Sequence, residues 1–175
     1  MATGTLIPLE EYLGHSFRPD CDYIDGELWE RNCGEEEHSD LLGCFIGLLN
    51  TAENKLYLRA NPALRVQVKP NNFRVPDVCV RPRSAPSQRF VTEAPLLCIE
   101  ILSPRDTVSE IRTRIHEYLA MGVPEAWLVD SKFRTITICN GSSIVEHTTG
   151  ALTVPQTPVT LQLAHIFSAL DDYQQ

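Results

Sequence analysis

The stretch around residues 96–129 constrains the fold of this 175-residue chain more than any other part of its sequence. Leu96–Leu102 is an apolar run interrupted by Glu100, which is typical of a central strand in a sheet. Asp106–Met121 then predicts a helix, because Thr107 and Glu110 form a capping-box pattern and a glycine and a proline end the helical pattern. A second short apolar run, Ala126–Val129, follows the helix. This strand, helix and strand predict an α/β fold.

The rest of the chain supplies further strands and helices around this unit. The Asp25-Gly26 pair is the strongest local signal, since it favours a tight two-residue hairpin turn. The predicted elements are a short helix over Pro8–Leu13, a hairpin over Cys21–Asn32, a helix over Glu35–Asn54, strands over Leu64–Val68, Val75–Arg81, Ala126–Val129, Thr135–Cys139 and Ser143–Glu146, and a closing helix over Leu161–Leu170. Together they predict one mixed α/β domain over residues 1–175.

Charge and composition limit the classes of partner. The formal net charge of −8 argues against a surface that binds nucleic acid or membrane over its whole area. No apolar run approaches the roughly 18–20 residues that span a bilayer, and no secretory signal is visible, so we expect a cytoplasmic protein. The cysteines lack a C-x-x-C pair and are expected to be reduced structural residues: Cys21, Cys33, Cys44, Cys79, Cys98 and Cys139.

The charge is unevenly distributed along the chain. Residues 20–53 hold ten acidic residues and one arginine, whereas residues 59–89 hold seven basic residues and one acid, Asp77. One interpretation is that the two segments form solvated faces whose opposite charges offset each other. The other is a basic surface around a lone acid that faces a phosphate-rich ligand. In the second case the predicted nucleic-acid contacts are Arg74, Arg81, Arg83 and Arg89.

Two acids stand in apolar strands. Asp77 opens the Val75–Arg81 strand, and Glu100 lies deep in the Leu96–Leu102 strand. A buried carboxylate is costly unless a partner, a metal or a proton compensates its charge. Glu100 either pairs with one of the many arginines or converges with Asp77 on a divalent cation, Mg²⁺ or Mn²⁺. Without a metal, the two acids should repel each other and the pKa of one should rise.

One arginine of the predicted helix over residues 106–121 could reach these acids. Arg114 lies at the edge of the expected buried stripe, which consists of Val108, Ile111, Ile115, Tyr118 and Leu119. Its stem could cover the core edge with the charged head in solvent. Alternatively, the guanidinium points toward the carboxylates.

Several of these segments resemble the Uma-two family, whose bacterial members are labelled restriction endonucleases and belong to the PD-(D/E)xK nuclease superfamily. The segments are Pro76-Asp77, Ile99–Pro104, Arg114-x-x-x-Tyr118 and the block Gly122–Asp130. Asp22–Leu28 is similar to the family's Y-E-L-I-D-G-E-L opening, and His38 to its histidine at the start of the first long helix. The resemblance covers about residues 8–170.

The resemblance implies a restriction-endonuclease-like core, a mixed β-sheet flanked by helices, with Asp77 and Glu100 as ligands of Mg²⁺ or Mn²⁺. It implies that Asp22 or Glu27 assists the metal, and that Arg114 stands where the family tends to carry a lysine, four residues before Tyr118. Asp22 stands where the family often has glutamate. A guanidinium stays protonated, so Arg114 could clamp a phosphate but could not act as a base.

The leading functional hypothesis is a Mg²⁺-dependent DNA endonuclease that hydrolyses phosphodiester bonds, without a membrane role. Nucleases that cut both strands are commonly two-fold dimers, so we expect a homodimer. The alternative is a catalytically impaired nuclease-fold module that binds nucleic acid or a protein partner. A third hypothesis, an oligomerisation or scaffold domain, has less support from the residues.

Overall fold

The computed structural model of the chain describes residues 6–31 and 35–173. The helices within these residues are α1 (Leu9–Gly14), α2 (Glu36–Leu49), α3 (Val108–Met121) and α4 (Leu163–Phe167), with short 3₁₀ segments at Asn54–Leu56 and Ser168–Tyr173. The strands are β1 (Cys21–Ile24), β2 (Glu27–Glu30), β3 (Leu58–Pro62), β4 (Val66–Lys69), β5 (Asn72–Arg74), β6 (Val78–Pro82), β7 (Leu97–Ile101), β8 (Glu125–Asp130), β9 (Thr135–Asn140), β10 (Ile144–His147), β11 (Ala151–Thr153) and β12 (Thr160–Gln162).

The main sheet of the described residues has the strand order β10-β9-β8-β7-β6-β3. It is mixed, because β7 and β8 run parallel whereas the other neighbours run antiparallel. A smaller sheet has the order β2-β1-β5-β4, and β11 pairs with β12. The predicted mixed sheet flanked by helices is therefore confirmed, and β6 and β7 lie in its interior.

Helix α3 makes the crossover between the parallel strands β7 and β8. Thr107 and Glu110 form the predicted capping box, in which each side chain satisfies the other residue's backbone N–H. Gly122 ends the helix with a φ of 103°, a left-handed conformation that glycine adopts without steric cost. These local signals fix both ends of the helix and therefore the position of every side chain along it.

The main sheet lies between two apolar clusters. Leu97, Ile99 and Ile101 of β7 belong to the cluster that packs under α2 and α4. Cys98, which lies between Leu97 and Ile99 on the same strand, belongs to the cluster under α3. Because successive side chains of a strand point to opposite faces, Glu100 also points toward α3. A carboxylate is thus built into the α3 side of the core.

The structure differs from the predicted elements in several places. Helix α2 ends at Leu49 rather than near residue 54, because the Asn50 amide donates to the Ala60 carbonyl and accepts from the Ala60 N–H. Strands β3, β5, β11 and β12 were not predicted. Val108 is exposed rather than buried. Five of the cysteines are unpaired thiols, while Cys33 lies outside the described residues.

No helix among the described residues is long and apolar enough to cross a membrane.

Candidate active site

The register of the main sheet brings Asp77 and Glu100 together. Val78 pairs with Ile99 in the antiparallel β6–β7 ladder, so Asp77, one residue earlier, is next to Glu100, one residue later. Antiparallel neighbours of this kind present their side chains on the same face. Asp77 Oδ1 and Glu100 Oε2 approach one common atom, at 3.0 Å and 2.9 Å. Two acids 23 residues apart in sequence thus share one site.

The common atom belongs to Arg31, which directly follows β2. Its Nη2 donates to both carboxylates, and its side chain is 11% exposed, against 12% for Asp77 and 1% for Glu100. Arg31 Nη1 is buried and has no hydrogen-bond partner among the described residues. The hypothesis that Glu100 forms an ion pair with an arginine is confirmed, and solvent reaches the site from the side of Asp77 and Arg31.

The second oxygen of each carboxylate is held by another group. Asp77 Oδ2 accepts from the Ile101 N–H at 2.7 Å and lies 3.4 Å from His38 Nε2. Glu100 Oε1 accepts from the Tyr118 hydroxyl at 2.6 Å. His38 and Tyr118 therefore orient the two acids, and each acid directs its remaining oxygen toward Arg31.

Arg114 lies on α3 and reaches inward. Its Nη1 is 3.3 Å from Glu100 Oε2 and 3.5 Å from Asp106 Oδ1, and its Nε is 3.8 Å from Asp22 Oδ2. Its side chain is buried. Of the two interpretations of Arg114, the structure supports a guanidinium directed at the carboxylates rather than one in solvent.

The two central acids have opposite pKa shifts. Burial raises the pKa of Glu100, and the charge of Asp77 adds to that rise, while Arg31, Arg114 and the Tyr118 hydroxyl act against it. Burial also acts to raise the pKa of Asp77, but the hydrogen bond from His38 and the charge of Arg31 outweigh it, so that pKa is lowered. The rise predicted for one acid falls on Glu100, with burial as its largest cause.

Asp22 contacts Arg74 and the Val75 backbone rather than the two central acids. It is 2% exposed, and its Oδ1 accepts from the Val75 N–H while its Oδ2 accepts from Arg74 Nη1, both at 2.8 Å. Arg74 Nε also donates to Glu117 Oε2 at 2.6 Å. Both oxygens of Asp22 are thus used within the protein, and Asp22 ties β1 to the segment that leads into Asp77.

We expect Asp22→Asn to lower the free energy of unfolding by about 1–3 kcal/mol. The amide keeps an acceptor for the Val75 N–H but removes the charge that faces Arg74. Denaturant unfolding of both proteins would measure the difference. Asp25→Asn, at the exposed hairpin turn, is the matched control and should change stability by less than about 0.5 kcal/mol. Equal stability of Asp22→Asn and the wild type would contradict this role.

Most of the predicted basic surface is turned into the protein. Arg74 is buried in its ion pairs, and Arg81 is buried and donates to the Pro86 carbonyl. Arg59 donates to carbonyls of the loop after β6, and Arg65 to those around the end of α1. The expectation that Arg74 and Arg81 face a ligand is therefore corrected by their burial. Arg83 and Arg89 are exposed, and Arg83 lies at the far end of β6 from Asp77.

Glu27 does not join the site. It opens β2, where it pairs with Ile24, and no hydrogen bond or ion pair within residues 6–31 and 35–173 links it to Asp77 or Glu100. The part of the hairpin that does join the site is its other end, where Arg31 follows β2.

Two cavities are each lined by a residue that contacts one of the acids, Arg114 for Glu100 and His38 for Asp77. One, of about 300 Å³, has Asp22, Arg114 and the exposed side chains of Trp29 and Arg105 in its wall. The other, of about 430 Å³, is lined by His38 and by the exposed Lys132. Arg105 and Lys132 are thus exposed cations in the walls of cavities that Arg114 and His38 also line.

The donor set fits one hard cation only after a rearrangement. Among the described residues, no three His, Cys, Asp or Glu side chains are arranged to hold a metal ion. Asp77 and Glu100 nevertheless direct one oxygen each at a single positive atom, Arg31 Nη2, which stands in for a cation. Carboxylate oxygens are the ligands that Mg²⁺ and Mn²⁺ prefer. The residues therefore fit such an ion when Arg31 is elsewhere.

Sequence reasoning missed Arg31. Its one signal was that it is the single basic residue among the ten acids of residues 20–53. A lone cation in such a stretch has many acids nearby in sequence, so the pattern did not indicate that Arg31 would pair with two acids from other strands.

Comparisons with known proteins agree on one relationship. The sequence model of the Uma2 (Uma-two) family, described as "Putative restriction endonuclease", matches residues 9–168. A crystal structure of "a putative nuclease belonging to DUF820" from Anabaena variabilis ATCC 29413 is 23% identical to this chain. The match covers 94% of this chain and 99% of that one, with a TM-score of 0.81. No curated protein matches the chain.

Proposed function

Because the chain belongs to the Uma2 family, described as "Putative restriction endonuclease", we propose that it is a nuclease that hydrolyses phosphodiester bonds in DNA. The cofactor would be Mg²⁺ or Mn²⁺, held by Asp77 and Glu100. One observation carries this proposal: Asp77 Oδ1 and Glu100 Oε2 converge on a single cationic atom at 3.0 Å and 2.9 Å. The five cysteines among the described residues are unpaired thiols, which suits a reducing compartment. We therefore propose that the protein acts in the cytoplasm.

A divalent ion would supply a Lewis acid for the phosphate and lower the pKa of an attacking water. The chain's own residues supply positioning and charge. Tyr118 and His38 hold the far oxygens of Glu100 and Asp77, which fixes the direction of the near ones. Arg114, next to Glu100, offers a planar guanidinium suited to two oxygens of the scissile phosphate. Its permanent charge stabilises the transition state without taking a proton.

A cleavage assay tests the proposal. Purified protein is incubated with supercoiled plasmid or with a labelled single-stranded oligonucleotide, and with Mg²⁺, Mn²⁺ or EDTA. Metal-dependent nicking or cutting that EDTA abolishes supports the proposal. No cleavage of either substrate with either metal at millimolar concentration contradicts it.

DNA binding should depend on exposed cations in the cavity walls, above all on Arg105, which lines the same cavity as Arg114. We expect Arg105→Gln to weaken DNA binding to a similar extent for all sequences, because a phosphate contact carries no sequence information. The slope of log affinity against log salt should fall by about 1. Fluorescence anisotropy at several salt concentrations measures both quantities.

Two outcomes of the anisotropy experiment would decide how the DNA lies. Arg83→Gln tests the predicted contact at the far end of β6, and any loss there extends the footprint along the sheet. An unchanged salt slope in Arg105→Gln would contradict a phosphate contact at that residue.

Nucleases that cut both strands of a duplex are commonly two-fold dimers. We therefore propose that the active form is a homodimer, which is the commonest arrangement with closed symmetry. Sedimentation equilibrium with and without DNA would show its mass.

The second candidate function is a catalytically impaired module that binds nucleic acid or a protein partner. Arg31 favours it, because its guanidinium compensates part of the charge of Asp77 and Glu100 from within the chain. The arginine at position 114 favours it as well, since it cannot act as a base. The metal-binding experiment below separates the two functions.

A further inference from the structure

Arg31 occupies the place that a metal ion would need. We propose that its guanidinium is an internal competitor for the divalent cation: it holds the position between Asp77 and Glu100, and metal binds only when the side chain moves out. This inference rests on the function proposed above and adds a regulation of that site by the chain itself.

The position between the two near oxygens has room for one cation. An ion within about 2.0–2.6 Å of both near oxygens would occupy the same volume as Arg31 Nη2, which lies at 3.0 Å and 2.9 Å from them. The far oxygens already accept hydrogen bonds from the Ile101 N–H and the Tyr118 hydroxyl, so the near oxygens are the ones directed at the shared position. The guanidinium and the metal are therefore mutually exclusive.

Charge compensation favours an exchange of cations at this position. Two carboxylates held this close, one of them almost fully buried, are costly unless a cation or a proton compensates them. If Arg31 leaves and a divalent ion arrives, the acids stay compensated, and Arg114 remains on Glu100 in both states. An exchange of one cation for another is thus open to this site, whereas departure of Arg31 alone is not favoured.

The hydrogen bonds of Arg31 hold its backbone more completely than its side chain. Its backbone N–H donates to the Asp20 carbonyl at 2.8 Å, which fixes the main chain. Its side chain contacts the two acids through Nη2, while Nη1 is buried and has no partner within residues 6–31 and 35–173. Arg74, by contrast, uses Nε and Nη1 on two different acids. The Arg31 head thus leaves one of its buried nitrogens unsatisfied, whereas Arg74 is held by two acids.

A calorimetric titration with Mn²⁺ tests the competition between Arg31 and the metal ion. If the metal-accepting conformation makes up about a tenth or less of the molecules, removing the competitor tightens apparent binding by about tenfold or more. We expect this gain for Arg31→Gln. Arg31→Lys keeps a charge that can compete and should stay nearer the wild type. Arg112→Gln, an exposed arginine on α3, is the matched control and should bind Mn²⁺ as the wild type does.

A measurement on the unmodified sequence covers the case in which Arg31→Gln fails to fold. Phenylglyoxal modifies accessible arginines, and mass spectrometry reports each site separately. We expect Mn²⁺ to increase labelling of Arg31 in the wild type, because metal displaces its head from the acids. Labelling of Arg112 should not change. Equal labelling of Arg31 with and without saturating Mn²⁺ would overturn the proposal.

The outcomes separate this inference from the proposed function. If wild type and Arg31→Gln bind Mn²⁺ equally well and Glu100→Gln abolishes that binding, the metal site stands and the competitor role of Arg31 is wrong. If no variant shows Mn²⁺ binding that depends on Glu100, the metal-dependent function itself is wrong.

Discussion

Replacing Glu100 with glutamine is expected to reduce metal-dependent DNA cleavage by about 10³-fold or more, a loss of roughly 4 kcal/mol of transition-state stabilisation. The amide keeps the size of the side chain and can still contact the Tyr118 hydroxyl. It removes the negative charge that, with Asp77, would hold the cation. Plasmid nicking rates with Mn²⁺ over a range of enzyme concentrations would measure the effect.

The control for this substitution is Glu146→Gln on β10, an exposed acid remote in sequence from both carboxylates. It should leave cleavage unchanged. Circular dichroism of both variants would establish that the fold is intact. Cleavage by folded Glu100→Gln at the wild-type rate would contradict the assignment of Glu100.

The second large effect is expected at Arg114. Arg114→Ala should reduce cleavage by about 10²-fold, comparable to the loss of one oxyanion-hole donor, because it removes a fixed positive charge beside Glu100. Arg114→Lys should preserve or raise cleavage in a competent nuclease, since lysine keeps the positive charge and, unlike arginine, can give up a proton. Single-turnover cleavage rates with saturating Mn²⁺ would compare the two variants.

Arg112→Ala supplies the control, because Arg112 is an exposed residue of the same helix. Its rate should equal that of the wild type. If the cleavage rates of both the wild type and Arg114→Lys equal the background rate while DNA binding is retained, the impaired-module function is favoured. If Arg114→Ala also matches the wild type in every assay, Arg114 has no role in the chemistry.

Local patterns predicted the elements that carry their own start and stop signals. The capping box and Gly122 fixed the ends of α3, and Asp25-Gly26, both at positive φ, made the predicted hairpin turn. Strands β3 and β5 were missed because they are short and contain asparagine, and β3 also contains proline; both residues are depleted in strands. Their formation depends on neighbours that the sequence does not reveal.

The acids of the candidate site could be singled out from sequence because a carboxylate in an apolar strand is unusual. Their meeting depends on the antiparallel register of β6 and β7, which only the structure gives. The basic residues were harder to interpret. A run of arginines predicts a cationic face, yet Arg74 and Arg81 point inward because the fold offers them acids and carbonyl oxygens. Direction of a long side chain is set by tertiary partners, not by spacing.

Anomalous diffraction from crystals grown with Mn²⁺ tests the central claim most directly, because it locates the ion without reference to activity. The account predicts a peak within about 2.0–2.6 Å of one oxygen each of Asp77 and Glu100, with the Arg31 head turned away from both. Crystals of Arg31→Gln should show the same peak at a lower Mn²⁺ concentration. If neither protein shows a peak between the two carboxylates at saturating Mn²⁺, the proposed metal site is contradicted.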